Sequence, residues 1–409
     1  MKKIFILLFF CFFISACDDD SGFVMQMDSQ ISALPAGACS AGYKTCSDGS
    51  VVARVAPSCE FEECPYHEGC GADKIMVDGT CTPLDTVVFF SDAVLEKTVR
   101  DRLDLTEQEA LTVAMLQGLQ EIRSFDPRGI ISTLDGLQFC TRLESLELPG
   151  HAIEDVTVLH GLTDLHYLDL SDNNVTDITP LDSLYKLEKL FLSRNVIADF
   201  TPIANFAELR ELDLSHTAVS EVGFLSGLMG LTRLVLSGNE IKDTAPLAYL
   251  VNLTELWLDS NAGINIDSLA TLTELKILIL HSNGLQAVTH LEDLAKLTRL
   301  DLSYNELLDI SPLEGLTQMT NLNLSHNSIV DINFLNGLTK LEKLYLSSNS
   351  ITDVSVLEGL YNSGAFHSIP NAVLLTNNNL DDDETAQSIN QSVIDYLLSN
   401  GVNVSYGSL

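Results

Sequence analysis

A few groupings of residues in this chain have the types and spacing to do chemistry. Asp259 and His281 lie 22 positions apart. If the chain stacks at that interval, they form a carboxylate–imidazole pair able to move a proton. The carboxylates Asp155, Asp177, Asp199, Asp243, Asp309, Asp331 and Asp353 recur at multiples of the same interval. Such a column can cap exposed N–H groups or, closely stacked, hold calcium. Cys39, Cys46, Cys59, Cys64, Cys70 and Cys81 crowd one short stretch and offer three disulfides or a zinc site. Trp257, the only tryptophan, shares its register with Val235 and Ile279 and lies beside Ile277. That grouping offers an apolar binding surface rather than a reactive centre.

One repeat must position all of them. Asparagine or a stand-in occupies a single register at His151, Asn173, Asn195, Thr217, Asn239, Asn261, Asn283, Asn305, Asn327 and Asn349, each 22 residues after the last. The frame around it is Leu165-x-x-Leu168-x-Leu170-x-x-Asn173-x-Val175. A fixed period of this length with that pattern marks a leucine-rich repeat. The predicted fold is an α/β solenoid, a horseshoe with a parallel β-sheet on its concave face. No repeat can bury its leucines alone, so neighbours must stack. Leu168 and Leu170 alternate in and out as a short strand, and the Asn enters the following turn, where its buried amide bonds main-chain groups. Pro180, Pro202, Pro246 and Pro312 share a convex column and suit the first turn of a short helical piece. The Asp column precedes that turn, so capping is favoured. One carboxylate per repeat is a sparse cage for calcium, which stays the alternative.

The period also assigns the outward positions of the concave strands. The column six residues before each Asn alternates in sign from Lys189 to Glu255, a cross-strand charge ladder. The column four residues before includes Phe191, Val235, Trp257, Ile279 and Tyr345. The column two residues before is nearly all Ser, except Asp259 and His281. These breaks coincide on neighbouring repeats, and repeat six also shifts its convex frame, with Ile264 where position 263 was due. The expected site is a protein- or peptide-binding surface of solvent-facing Val235, Trp257 and Ile279 with Ile277, Asp259 and His281; Phe191 and Tyr345 lie further along. The competing explanation is that β-branched and aromatic residues simply suit strands. No Ser or Cys is convincingly placed as a nucleophile for Asp259 and His281, so an ion pair is preferred over an enzyme. No cofactor or metal is implied.

The chain starts Met1-Lys2-Lys3, continues with an apolar run from Ile4 to Phe13, and reaches Ile14-Ser15-Ala16-Cys17. A basic start, a short apolar core and small residues read as an export signal over 1–16. Residues 17–38 read as a tether and 39–83 as a disulfide module. Cys70 and Cys81 are expected to pair across the Asp78-Gly79 turn. Residues 86–130 read as a helical N-cap and degenerate repeat, with Ser91 capping one helix and Thr106 to Glu109 forming a capping box for a second. Repeats fill 131–380, with an insertion within 361–369, and 381–409 form the C-terminal cap. Cys140 shares a register with Leu162 and Leu184, which predicts a buried, inert thiol. The net charge of −35 disfavours nucleic acid and anionic lipid surfaces as partners.

Ile14-Ser15-Ala16-Cys17 resembles the bacterial lipobox, which implies cleavage before Cys17, acylation there and membrane attachment through that lipid; the alternative is an ordinary signal peptide with a chance cysteine. Asp18 resembles the enterobacterial inner-membrane retention signal. The 22-residue frame with Asp-Ile-x-Pro-Leu, the helical N-cap, and Gly129-Ile130 through Leu134-Asp135-Gly136-Leu137-Gln138-Phe139-Cys140-Thr141 resemble internalin-type bacterial leucine-rich-repeat proteins over residues 86–409. The resemblance implies a non-enzymatic binding protein whose concave sheet takes a host protein. The lipobox, the Cys-rich module and the missing cell-wall sorting signal depart from Gram-positive members. They point to a Gram-negative lipoprotein of the cell envelope, at the outer membrane or cell surface, with the periplasmic face of the inner membrane as the alternative. The second functional reading is a structural or scaffolding periplasmic lipoprotein with no host ligand.

Overall fold

The structure is a computed structural model that describes residues 43–45, 51–55, 60–61, 70, 73–124, 129–380 and 384–407. The expected signal peptide, Cys17, the tether, and Cys39, Cys46, Cys59 and Cys64 lie outside the described residues. The chain forms two compact units, Met1–Gly69 and Cys70–Leu409. In the first, β1 (Tyr43–Thr45), β2 (Val51–Val55) and β3 (Glu60–Phe61) form an antiparallel sheet in that order.

The second unit opens with a hairpin of β4 (Lys74–Val77) and β5 (Thr80–Pro83). Asp78 and Gly79 turn it with φ of 47° and 74°. Two successive left-handed residues match the right-handed twist of the flanking strands. The expected Cys70–Cys81 disulfide closes the hairpin, with Cα atoms 5.5 Å apart. Main-chain bonds from Leu84 to Asp73 and from Ala114 to Leu84 join it to the helical cap.

In that cap, α1 (Ala93–Arg102) is started by Asp92 rather than by Ser91. Asp92 Oδ1 accepts from the N–H groups of Val94 and Leu95, while its Oδ2 accepts from Ser132 N and Oγ. The carboxylate has two oxygens and so can tie the helix to the first repeat, which a serine hydroxyl cannot. Ser91 instead donates to Asp135. The expected second helix at Thr106 does not form. Glu109 accepts from Thr106 N and Oγ1, and Arg100 bonds the carbonyls of Thr106 and Glu109. The capping-box contact therefore closes a turn, and α2 (Val113–Leu116) begins only later.

Thirteen parallel strands then stack in chain order: β6 (Glu121–Arg123), β7 (Ser145–Glu147), β8 (Tyr167–Asp169), β9 (Lys189–Phe191), β10 (Glu211–Asp213), β11 (Arg233–Val235), β12 (Glu255–Trp257), β13 (Ile277–Ile279), β14 (Arg299–Asp301), β15 (Asn321–Asn323), β16 (Lys343–Tyr345), β17 (Ala372–Leu374) and β18 (Val404–Ser405). Residues one period apart pair directly, as Leu256 with Leu278. The leucines of the frame are fully buried, including Leu165, Leu168 and Leu170. Short 3-10 turns return along the other side, with Pro in the first turn at Thr179–Leu181, Thr201–Asn205, Ala245–Tyr249 and Ser311–Gly315.

The Asn column is buried and bridges repeats. Asn261 Nδ2 donates to Leu236 O in the preceding repeat and to Leu258 O in its own, both at 3.0 Å; its Oδ1 accepts from Ile241 N at 3.0 Å. Leu258 O in turn accepts from both Asn261 and Asn283. Each such carbonyl is shared by two successive amides, a chain that runs unbroken from Leu236 to Asn378. Beyond it, Asn390, carried by α4 (Glu384–Ser399), bonds Thr352 O, Leu380 O and Val354 N. The two stand-ins do less. The Thr217 side chain reaches Leu214 O and Asn239 Oδ1, neither in the preceding repeat. His151 Nδ1 accepts from Ile131 N, and its buried Nε2 has no hydrogen-bond partner among the described residues.

Asn261→Ala should therefore orphan a buried N–H and cost about 3 kcal/mol, read as a shift in the urea midpoint. Burial holds the His151 pKa below the ordinary histidine value, against the weaker pulls of the Ser124 main chain and Asp92. Below neutral pH the unfolded chain thus takes up this proton first, and folding stability falls as pH drops through the unfolded pKa. His151→Asn should lose this component, so its stability relative to the parent should rise between pH 7.5 and 5 (about the histidine range). Parallel denaturation curves would show a constant difference if His151 did not titrate.

Candidate functional site

The concave sheet sets the outward columns in register. Asp213, Val235, Trp257, Ile279 and Asp301 pair in sequence along β10–β14. Trp257 is partly exposed, but Val235 is only 5 % and Ile279 only 3 % exposed. The expectation that both face solvent is corrected: they flank an indole wider than the roughly 4.8 Å strand spacing, and side chains converge on the inside of a curve. The Arg299 guanidinium carbon of β14 lies 5.9 Å from the indole ring centroid. The indole Nε1–H is buried and unpaired among the described residues. Ile277 is partly exposed beside it. The surface is thus one indole and Ile277 above a buried aliphatic floor.

Asp259 and His281 meet as expected, with Oδ2 3.4 Å from Nε2. Ser237 Oγ donates to the other Asp259 oxygen, and Ser282 Oγ lies 3.1 Å from His281 Nδ1. The order Asp259–His281–Ser282 looks like a relay toward a nucleophile. The surrounding main chain argues otherwise. Ser282 N donates to Ser303 O and Asn283 N to Asn305 Oδ1, so neither is free to stabilise an oxyanion. The left-handed φ of 59° at Ser282 is common to this turn position, as at Ser260, Tyr304 and Ser348. The chain is a hydrogen-bonded rim that fixes the edge of the face.

The outlying residues differ in setting. Phe191 packs on Tyr167, ring centroids 5.4 Å apart. Burial, with the carboxylates of Glu147, Asp169 and Glu211, pushes the Tyr167 phenol up to about 12, so it remains a hydroxyl donor. Tyr345 borders a depression of about 230 Å³ with Arg299, Asp301, Asn321, Asn323 and Lys343. The sequence reading passed over Arg299, Asn321, Asn323 and Lys343. The available signal was the first outward column, whose alternation of sign stops after Glu255.

Of the charge ladder, Lys189–Glu211 (2.7 Å) and Arg233–Glu255 (3.4 Å) form. The Asp column caps turns: Asp155, Asp177, Asp199, Asp243, Asp309, Asp331 and Asp353 each accept from the N–H two residues on, at 2.7–2.9 Å. Hydrogen bonds from the Thr157, Thr179 and Ser311 hydroxyls and N–H groups hold Asp155, Asp177 and Asp309 below the usual carboxylate range. Repeat six fills its shifted frame by main chain. Gly263, at φ 78°, donates to Asn283 O, and Ile264 takes the buried place. Cys140 is fully buried, which pushes its thiol up to about 12 and removes it from thiolate chemistry.

The sequence matches the family described as "Leucine Rich repeats (2 copies)" over residues 163–205 and 317–359, and "Leucine rich repeat" over 273–329. No curated protein sequence matches. Among solved structures, it is similar to an internalin (inlF) from Listeria monocytogenes, at 30% identity over 77% of this chain and 91% of that one, with a TM-score of 0.68. A leucine-rich-repeat protein from Leptospira interrogans matches at 22% identity over 65% of this chain and 67% of that one, TM-score 0.57. The functional domain of InlJ from Listeria monocytogenes, which includes a cysteine ladder, matches at 20% identity over 71% and 74%, TM-score 0.50. The last two show the fold alone.

Proposed function

The chain belongs to the internalin family of leucine-rich-repeat proteins, and from that premise we propose that it binds a protein or peptide ligand on its concave face, without catalysis. The observation that carries this reading is Trp257. Its buried indole N–H is unpaired among the described residues, a deficit of about 1–3 kcal/mol that a ligand acceptor would remove if the ring turned outward. Tryptophan is also the side chain that most often dominates an interface. The buried Val235 and Ile279 act as the floor that holds the ring, and Ile277 extends the apolar contact. Asp259 and His281 supply a polar rim. Phe191 with Tyr167, and Tyr345, sit on the same face to either side and extend its reach.

The export signal and the Ile14-Ser15-Ala16-Cys17 sequence support a lipid anchor at Cys17 and a place on the bacterial cell envelope. The resemblance at Asp18 favours a scaffolding role at the inner membrane as the second reading.

In a pull-down with the second unit as bait, Trp257→Ala should keep the solenoid, read by circular dichroism, and weaken capture of a confirmed partner at least about tenfold. Equal capture by both baits would sink the Trp257-centred site. Mass spectrometry of the mature chain should find an acylated Cys17 at its start. An unmodified cysteine, or a start elsewhere, would remove the anchor.

A further inference from the structure

The concave strands treat their basic residues in two ways. Arg123 lies 3.0 Å from Glu147, Lys189 pairs with Glu211, and Arg233 pairs with Glu255. Each of these cations has a carboxylate on the next strand. Arg299 and Lys343 have none among the described residues. Their register neighbours are Ile277 and Asn321 for Arg299, and Asn321 and Ala372 for Lys343. The one acid near them, Asp301, is already engaged. Its Oδ1 accepts from Ser303 N and Oγ, and its Oδ2 accepts from Asn323 Nδ2. In a chain of net charge −35, two cations on either side of one asparagine, without an internal acid, are a local exception.

From this geometry, and resting on the concave-face reading above, we propose that Arg299 and Lys343 clamp a single carboxylate of an extended partner segment, with Asn321 between them. The two strands that carry the cations stand about 9.6 Å apart at the main chain, twice the strand spacing. Both side chains line the depression at Asn321, Lys343 from one side and Arg299 from its place near the Trp257 ring. The depression there holds about 230 Å³. That is below the roughly 300 Å³ at which small-molecule pockets begin, and suits one side chain of a larger partner. Asp301 in its wall, and Asp213 and Glu255 along the face, oppose a polyanion such as nucleic acid, while one carboxylate meets only the clamp. Arg299 also lies over the Trp257 ring, so the clamp and the apolar surface are continuous. From Asn321 to Trp257 is three strands, about 14 Å, which an extended chain spans in about four residues. The partner segment accordingly carries an Asp or Glu and an aromatic or aliphatic residue about four positions away.

The test is selection of random dodecapeptides displayed on yeast against the full chain, followed by affinity measurement of enriched peptides. Arg299→Gln/Lys343→Gln and Trp257→Ala proteins are measured in parallel, each first shown by circular dichroism and melting to fold as the parent does. Enriched peptides should carry the acidic residue at that spacing. The double variant should weaken them about tenfold or more, and replacing the peptide's acid by its amide should weaken binding to the parent but add little in the double variant. Enriched peptides without an acid, no enrichment, or unchanged affinity for the double variant overturns the clamp. Loss with Trp257→Ala alone overturns the clamp and leaves the concave-face reading standing. Loss with the double variant alone leaves the clamp and removes the Trp257-centred site.

Discussion

A stacked turn leaves main-chain carbonyls and N–H groups inside the protein, and each must find a partner. The asparagine amide meets this constraint. It is the one side chain short enough to stay in the turn while offering two donors and an acceptor in fixed geometry. The bonds of Asn261 show the consequence. One amide satisfies a carbonyl in its own repeat and both a carbonyl and an N–H in the preceding one, so registry between neighbouring repeats is set by hydrogen bonds as well as by leucine packing. The in-register sheet, and thus the columns of the concave face, follow from that registry.

The two rungs without asparagine show what the amide contributes. Threonine carries a single hydroxyl and satisfies its own repeat, leaving the link to the previous one to main-chain bonds and packing. Histidine keeps an acceptor toward Ile131 but buries a second nitrogen that has no partner among the described residues. Stability in a solenoid is a sum of repeat and neighbour terms, so weak rungs are local seams. They lie toward the N-terminal half, and the run from Leu236 to Asn378 has none.

Most of the fold was legible because the period acts as a coordinate system. It placed the core leucines, the asparagine bridges, the Asp caps and the direction of every strand side chain. Cys70–Cys81 was legible from Asp78-Gly79, a turn that leaves little choice of geometry. What escaped was contact between non-equivalent residues. A column tells which way Val235 and Ile279 point, but not that both are buried there beside Trp257. Ser91 and Asp92 are both capping residues, and only Ser132, far along the chain, decides between them. Asn390 lies outside the period altogether, on a helix whose sequence gives no reason to look for a buried amide that bonds the last repeats. Arg299 and Lys343 were visible in their column; their significance lay in what their neighbours lack.

The location of the departures is itself informative. Outward positions on the concave strands carry little of the fold's stability, since exposed cross-strand pairs contribute only about 0.2–1 kcal/mol. They can vary without disturbing the asparagine chain beneath. The irregular stretch, from Val235 through Tyr345, falls on β11–β16, and the bridged carbonyls behind it start at Leu236. The surface that breaks the pattern therefore stands on the part of the sheet that is bridged without a gap. A binding surface gains from this arrangement, because side chains fixed before contact lose less freedom on binding. Trp257 is the exception within it. Its ring is packed but its N–H is unpaired, so the rigid sheet presents one side chain that has something to gain by moving.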